Sequence, residues 1–309
     1  MKRYPISKEY FPFNKFTPSV NRFVVSMSQL FMKVPHSFKK DKELNIEKIT
    51  LTGYKDEKFD LYILDKKDLK DNSPAIIFIH GGGFIFEGTS GHYYLAKEYA
   101  KRCNCKVIYV RYNLSPKYPF PYPQIESYKA VQYVFEHTKE LNIDINRIAL
   151  TGDSAGAALC LSALLEAKEV YNTTYKPLFT VLIYPWLDGR GTSNSNITYK
   201  NTPMWNSSLS KKVGKLNNPN KIKFPHRYSS IIEDENIIDM PDSYIEVAEF
   251  DALHDDGVIY SEILKKNNKE VELYEVKGSM HGYDSKYKSP TVQKMFEQRI
   301  EYISRKFNK

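Results

Sequence analysis

From Ala75 onward the chain alternates between two periodicities, and that alternation limits the fold more than any other feature. Apolar runs occur at Ala75 to Ile79, Val107 to Val110, Ile148 to Leu150, Phe179 to Tyr184, Tyr244 to Ala248 and Val271 to Val276. Stretches of helical period, such as Tyr94 to Arg102, Ile125 to Phe135 and Ser154 to Glu166, lie between most of them. A strand covered on both faces has no polar side, so it shows as an apolar run rather than an alternation. Such strands separated by helices predict an α/β fold, a parallel sheet with helices on both faces. Ahead of it, Ile46 to Thr52 and Phe59 to Leu64, joined by Gly53-Tyr54-Lys55-Asp56, predict a hairpin.

Two segments stand outside the pattern. Residues 186–240 have no clear period and hold Trp186, Trp205 and many Gly, Asn, Ser and Pro, and a loop of that length inside a compact domain is usually functional. In residues 1–45, Val20, Phe23, Val24, Met27, Leu30, Phe31 and Val34 share one helical face. That stripe is expected to dock, with the 186–240 insertion as its partner. The expected division is a cap segment at 1–45 and a catalytic domain at 46–309, with 186–240 contributing to the cap. At 309 residues the chain has material for one large domain.

Composition and charge exclude several classes. No stretch approaches the ~20 consecutive apolar residues of a bilayer span. After Met1-Lys2-Arg3 the chain runs Tyr4-Pro5-Ile6-Ser7-Lys8-Glu9, without the apolar core of a secretory signal. A cytoplasmic protein without stable membrane insertion is expected. The net charge of +8 would suit an anionic partner, but lysines are spread among 37 acidic residues with no run of five or six like charges, so no nucleic-acid binding is expected. Cys103, Cys105 and Cys160 are odd in number and fall in element interiors, which predicts reduced core thiols. Two neighbouring thiolates do not complete a zinc site, so no metal is expected.

Between the strand ending at Thr151 and an Ala-rich helix lies Gly152-Asp153-Ser154-Ala155-Gly156, a match to the G-x-S-x-G nucleophile elbow. The strand-to-helix turn is so tight that the positions two before and two after the serine have no room for side chains, which Gly152 and Gly156 satisfy. The turn lifts the serine hydroxyl above the sheet edge and sets the Ala155 N–H at a helix N-terminus, where it can donate to a developing anion. His80-Gly81-Gly82-Gly83 follows the strand Ala75 to Ile79, and consecutive glycines allow N–H groups to turn toward a ligand. Gly82, Gly83 and Ala155 are therefore the candidate oxyanion donors, and His80 is expected to fix the loop.

With an elbow of this kind the acid and then the base follow the serine along the chain. Of seven histidines, only His226, His254 and His281 do so. His226 lies in the irregular insertion and His254 opens a helical pattern toward Leu264, whereas His281 follows the strand Val271 to Val276 and the loop Gly278-Ser279-Met280. For the acid, Asp251 falls on the loop after the strand Tyr244 to Ala248. Asp255 and Asp256 fall on a first helical turn, where carboxylates favour the dipole. The candidate triad is Ser154, Asp251 and His281.

These residues resemble the hormone-sensitive-lipase-like family of bacterial esterases and arylacetamide deacetylases, from about residue 46 to the C-terminus. The resemblance rests on His80-Gly81-Gly82-Gly83, Tyr112-Asn113-Leu114-Ser115-Pro116, Tyr118-Pro119-Phe120-Pro121, Asn146-Arg147-Ile148-Ala149-Leu150 and the elbow. It continues through Tyr184-Pro185, Glu249-Phe250-Asp251-Ala252-Leu253-His254-Asp255-Asp256 and His281-Gly282-Tyr283. It implies an α/β-hydrolase fold with an eight-stranded, mostly parallel sheet, a cap built partly from the N-terminal segment, no cofactor, and hydrolysis of short acyl esters. Asn113 and Lys117 stand where the family usually has Arg and Glu, and Glu87 where a glycine is common. Two rival readings stay open: a deacetylase of acetylated sugars or amides, and a non-catalytic small-molecule receptor, against which His281 argues.

Overall fold

The computed structural model describes residues 4–32, 38 and 41–309. Eight strands form one sheet: β1 (Leu44–Thr52), β2 (Lys58–Lys66), β3 (Ser73–Ile79), β4 (Lys106–Arg111), β5 (Ile143–Asp153), β6 (Phe179–Ile183), β7 (Ser243–Phe250) and β8 (Val271–Met280). Their order is β1-β2-β4-β3-β5-β6-β7-β8. The pairs β1–β2 and β2–β4 are antiparallel, and every pair from β4 to β8 is parallel. The hairpin is in register, with Leu44 opposite Lys66 and Thr52 opposite Lys58.

The helices are α1 (Arg22–Met32), α2 (Ser90–Arg102), α3 (Tyr122–Glu136), α4 (Ala155–Tyr171), α5 (Asn194–Thr198), α6 (Ser207–Asn217), α7 (His226–Ser229), α8 (His254–Lys266) and α9 (Pro290–Phe307). Successive side chains of β3 go to opposite faces: Ala75, Ile77 and Ile79 pack with α3, α4 and α8, while Ile76 and Phe78 pack with α2 and α9. Both faces are thereby covered, which is why the central strands carry no polar alternation. All three cysteines are buried and free.

Chain order reverses between β3 and β5. From β3 the crossover through α2 leads to β4 on one side, whereas β5 leads to β6, β7 and β8 on the other. Such a switch point opens a crevice outside the carboxyl ends of the strands.

Three expectations are corrected. The segment 186–240 is not shapeless but forms α5, α6 and α7, with Ser193 and Asn206 side chains capping the first two by accepting from the N–H groups of Asn196 and Leu209. Gly278 to Met280 belongs to the end of β8 rather than to a loop, so His281 sits directly at a strand terminus. Of the expected stripe, Val20 packs against the cluster around Trp205, within 186–240, but the outward residues on α1 do not dock. Val25 is the buried residue, packed with Trp205, Leu209 and Val213, while Phe23, Val24, Leu30 and Phe31 face outward. Val34 lies outside the described residues. The cause is polar: Gln29 Nε2 donates to the carbonyls of Ile85 and Ser115, both at 2.6 Å, and carbonyls removed from water require donors. That fork and Val25 together hold the inner face of α1 to the body.

Glu126 of α3 is buried and accepts from the N–H and Nδ2 of Asn113 at 2.7 and 2.8 Å. Asn113 supplies donors but no charge, so burial dominates and pushes the carboxyl up to about 7 from its ordinary 4.5. Across that window the folded chain holds a proton that the unfolded chain has lost, so stability falls as pH rises. The shift corresponds to about 3 kcal/mol. We expect Glu126→Gln to flatten the decline in urea midpoint between about pH 5 and pH 8. A variant that declines as steeply as the wild type would remove Glu126 as the cause.

Candidate active site

The elbow is built by close approach. Ser154 joins β5 to α4 with φ 53° and ψ −119°, a left-side backbone that costs a non-glycine residue on the order of 1–3 kcal/mol. Its neighbours hold it there. The Ser154 N–H donates to Ile183 O at 2.8 Å, and its carbonyl accepts from Trp186 N–H at 3.1 Å. A Cβ on Gly152 would lie 2.5 Å from Gly156 C, and one on Gly156 would lie 2.0 Å from Ile79 O.

Ser154, His281 and Asp251, which chain order singled out, form one hydrogen-bonded row. His281 Nε2 lies 2.9 Å from Ser154 Oγ, and its Nδ1 lies 2.7 Å from Asp251 Oδ2. Asp251 follows β7, is fully buried, and accepts from Leu253 N–H through Oδ1 at 2.9 Å. All three are buried and stand at carboxyl ends of strands on one side of the switch point.

The rival residues are engaged elsewhere. Asp255 accepts from Ser195 N–H at 2.8 Å and sits 3.0 Å from His254 Nδ1. Asp256 accepts from the N–H groups of Leu187 and Asp188, pinning the insertion to α8, and burial raises its carboxyl. His226 lies 3.5 Å from Glu233. His36 lies outside the described residues.

The glycine loop after β3 turns tightly. Gly82 and Gly83 have φ of 107° and 63°, a region natural to glycine. The carbonyl of Gly82 accepts from Ile85 and Phe86 at 3.1 and 2.9 Å. A Cβ on Gly83 would reach Trp205 at 2.6 Å. Ala155 opens α4, where the first N–H groups have no partner within the helix. His80 is buried between Tyr109 and Tyr112, its Nδ1 is 2.7 Å from Gly81 O, and burial lowers it to about 4.

Sequence reasoning missed the pair that joins this loop to the elbow. Asp153 accepts from Gly81 N–H at 3.0 Å and meets His92 Nε2 at 3.1 Å. Burial works against both charges, but each outweighs it for the other: His92 lies above its ordinary value and Asp153 below. The signal was the unspecified position of the elbow motif itself. Glu87 was noted only as a departure, yet Arg111 grips it through Nε and Nη2 at 3.1 and 3.0 Å.

Ser154 and His281 open into a cavity of about 390 Å³, walled by Phe13, Phe16, Phe86, Leu95, Met204 and Trp205. A larger cavity of about 620 Å³ is lined by Phe84, Phe120, Trp186 and Phe224. Trp186 faces the larger space and Trp205 the one at Ser154, and the two rings meet edge to face at 5.5 Å.

Residues 76–285 match the family described as alpha/beta hydrolase fold, and the chain belongs to that family. It is 29% identical over 220 residues to carboxylesterase NlhH of Mycobacterium tuberculosis, covering 70% of this chain and 68% of that one. It is 26% identical to a putative alpha/beta hydrolase, R526, of Acanthamoeba polyphaga mimivirus, covering 81% and 73%. Its fold is that of a bacterial heroin esterase, with TM-score 0.83, 23% identity and 98% of both chains covered. Membership of this family, with relatives named esterase and carboxylesterase, makes the chain a hydrolase of the esterase type.

The elbow predicts a sharp contrast between two glycines. Gly156→Ala forces a methyl into the Ile79 carbonyl, whereas Gly214 on α6 has open space around it. Overpacking of this kind costs up to about 3 kcal/mol or more. We expect Gly156→Ala to lower Tm by about 5 °C, with Gly214→Ala within about 2 °C of wild type. Equal melting of the two variants would contradict the close approach.

Proposed function

We propose that the protein is a serine esterase that cleaves short-chain acyl esters through an acyl-enzyme. The row from Ser154 Oγ to His281 to Asp251 supports this most directly. A carboxylate only accepts, so His281 Nδ1 donates to Asp251 and Nε2 is left to accept the serine proton. Ser154 Oγ bonds to the acyl carbon, and its proton passes to His281. The carbonyl oxygen, now negative, is held by the N–H groups of Gly82, Gly83 and Ala155, each donor worth on the order of 3 kcal/mol. Collapse breaks the ester bond, and His281 protonates the departing alcohol. A water attacks the acyl-enzyme with His281 as base, freeing the carboxylic acid and Ser154.

The cavity of about 390 Å³, with its apolar walls, suits a small acyl ester. A second reading keeps the chemistry and changes the substrate to acetylated sugars or amides. It draws on a relative named arylacetamide deacetylase, from Bos taurus, 24% identical with 85% of this chain and 80% of that one covered. Hydrolysis of nitrophenyl acetate, butyrate and longer esters, run beside acetylated sugars and aryl amides, separates the two. The short nitrophenyl esters are expected to give the highest kcat/KM.

Ser154→Ala should abolish hydrolysis and labelling by a serine-directed phosphonate, and label recovered on any other residue would sink the nucleophile assignment. Asp251→Asn should leave the fold intact and lower turnover by about 10⁴-fold, if the wrong-tautomer effect of serine proteases carries over. Normal turnover in that variant, with a large loss in Asp255→Asn instead, would move the acid to Asp255.

A further inference from the structure

Helix α1 presents an apolar face to solvent beside the mouth of the catalytic cavity. Phe23, Leu30 and Phe31 are 74%, 63% and 67% exposed, and Val24 joins them on the same side. The opposite side is already committed through Val25 and Gln29, so the outward face has no role in holding α1 to the body. Phe11 and Phe16 are also more than half exposed, and Phe16, Phe13, Pro18 and Ser28 line the cavity that contains Ser154. Phe16 is thus both exposed and part of the rim of the site, and Ser28 of α1 lines the same cavity.

Charge is concentrated in the same segment. Residues 1–40 hold eight Lys or Arg and one acidic residue, Glu9, and so account for +7 of the chain's +8. Glu9 is itself bonded to Thr291 through Oε1 at 2.7 Å. The remaining residues are close to neutral. A short helix with large apolar side chains outward, in a strongly basic segment, has the two weak signals that together hold a peripheral protein to an anionic bilayer. At 11 residues α1 is about 16 Å long, and no described helix is long and apolar enough to cross a membrane.

We infer that the outward face of α1 is a docking surface for an anionic lipid bilayer. On docking, Phe23, Leu30 and Phe31 enter the headgroup boundary while the exposed Lys15 and Arg22 meet lipid phosphates. Phe16 then lies toward the interface, and esters dissolved in the membrane reach Ser154 without crossing bulk water. The docking itself rests on α1 and its surroundings; only the delivery of esters rests on the reaction proposed for Ser154.

The test uses the full chain and two kinds of vesicle, phosphatidylcholine alone and phosphatidylcholine mixed equally with phosphatidylglycerol. The protein is expected to co-sediment with the mixed vesicles and to be released by raised salt. Leu30→Glu with Phe31→Glu is expected to cut that partition ~tenfold or more. Neither residue lines the cavity, so Tm and hydrolysis of a water-soluble short-chain ester should match wild type. No sedimentation, or equal sedimentation with both vesicles, overturns the inference. So does a dimer in analytical ultracentrifugation that the double substitution dissociates, because the face would then be covered by a second copy.

Discussion

Helix α4 starts closer to β3 than any side chain would allow. Gly156 lies against the last carbonyl of β3, and Gly152 against the backbone of α4, so the turn between β5 and α4 closes with nothing in it but main chain. That approach forces Ser154 into its positive-φ conformation and stands its hydroxyl over the crevice where chain order reverses. Asp153, the residue before, takes the N–H of Gly81. One backbone constraint therefore orients the hydroxyl and anchors the glycine loop facing it. The local strain is carried because bonds to Ile183 and Trp186 fix both main-chain groups of Ser154.

Behind His281 lies a second support, made of charge rather than backbone. Arg299 of α9 and Glu246 of β7 are both buried and joined by two bonds at 2.7 and 2.6 Å. Tyr244 and Tyr283 also donate to Glu246, and Arg299 reaches Asp284, which accepts from Tyr184. The Tyr184 ring lies 4.6 Å from the His281 ring. Buried pairs of this kind are a poor source of net stability, but removing one partner leaves an uncompensated charge in the interior. The network ties the last helix to the strands that carry Asp251 and His281, so the imidazole rests on a surface with few alternative arrangements.

How much of this was legible depended on whether the signal was local. Apolar runs announced the central strands, and tight-turn chemistry announced Gly152, Gly156 and the glycine loop, because each reports a constraint on neighbouring residues. The parts that escaped depend on distant partners. Nothing near Gln29 states that two carbonyls 56 and 86 positions away need a donor, yet those bonds help to hold the inner face of α1 to the body. The apolar stripe therefore suggested burial where the structure gives exposure. Residues 186–240 hid their helices because these are short. Leu209, Val213 and Leu216 do recur at helical spacing, and all three pack in the cluster around Trp205. The carboxylates separated cleanly, since a strand end and a first helical turn differ locally.

The row of Asp251, His281 and Ser154 has a consequence for how the molecule comes into being. Its histidine stands 127 positions after its serine, directly past the last strand of the sheet. Synthesis proceeds from the N-terminus, and distant contacts wait for the closure of the loops between them. While the chain is still on the ribosome, Ser154 can sit on a finished elbow with no imidazole beside it. The hydroxyl then has its ordinary weak nucleophilicity. The hydrogen-bonded row is thus completed only when β8 adds to the edge of the sheet, and a nascent chain lacking that strand holds Ser154 without its imidazole partner.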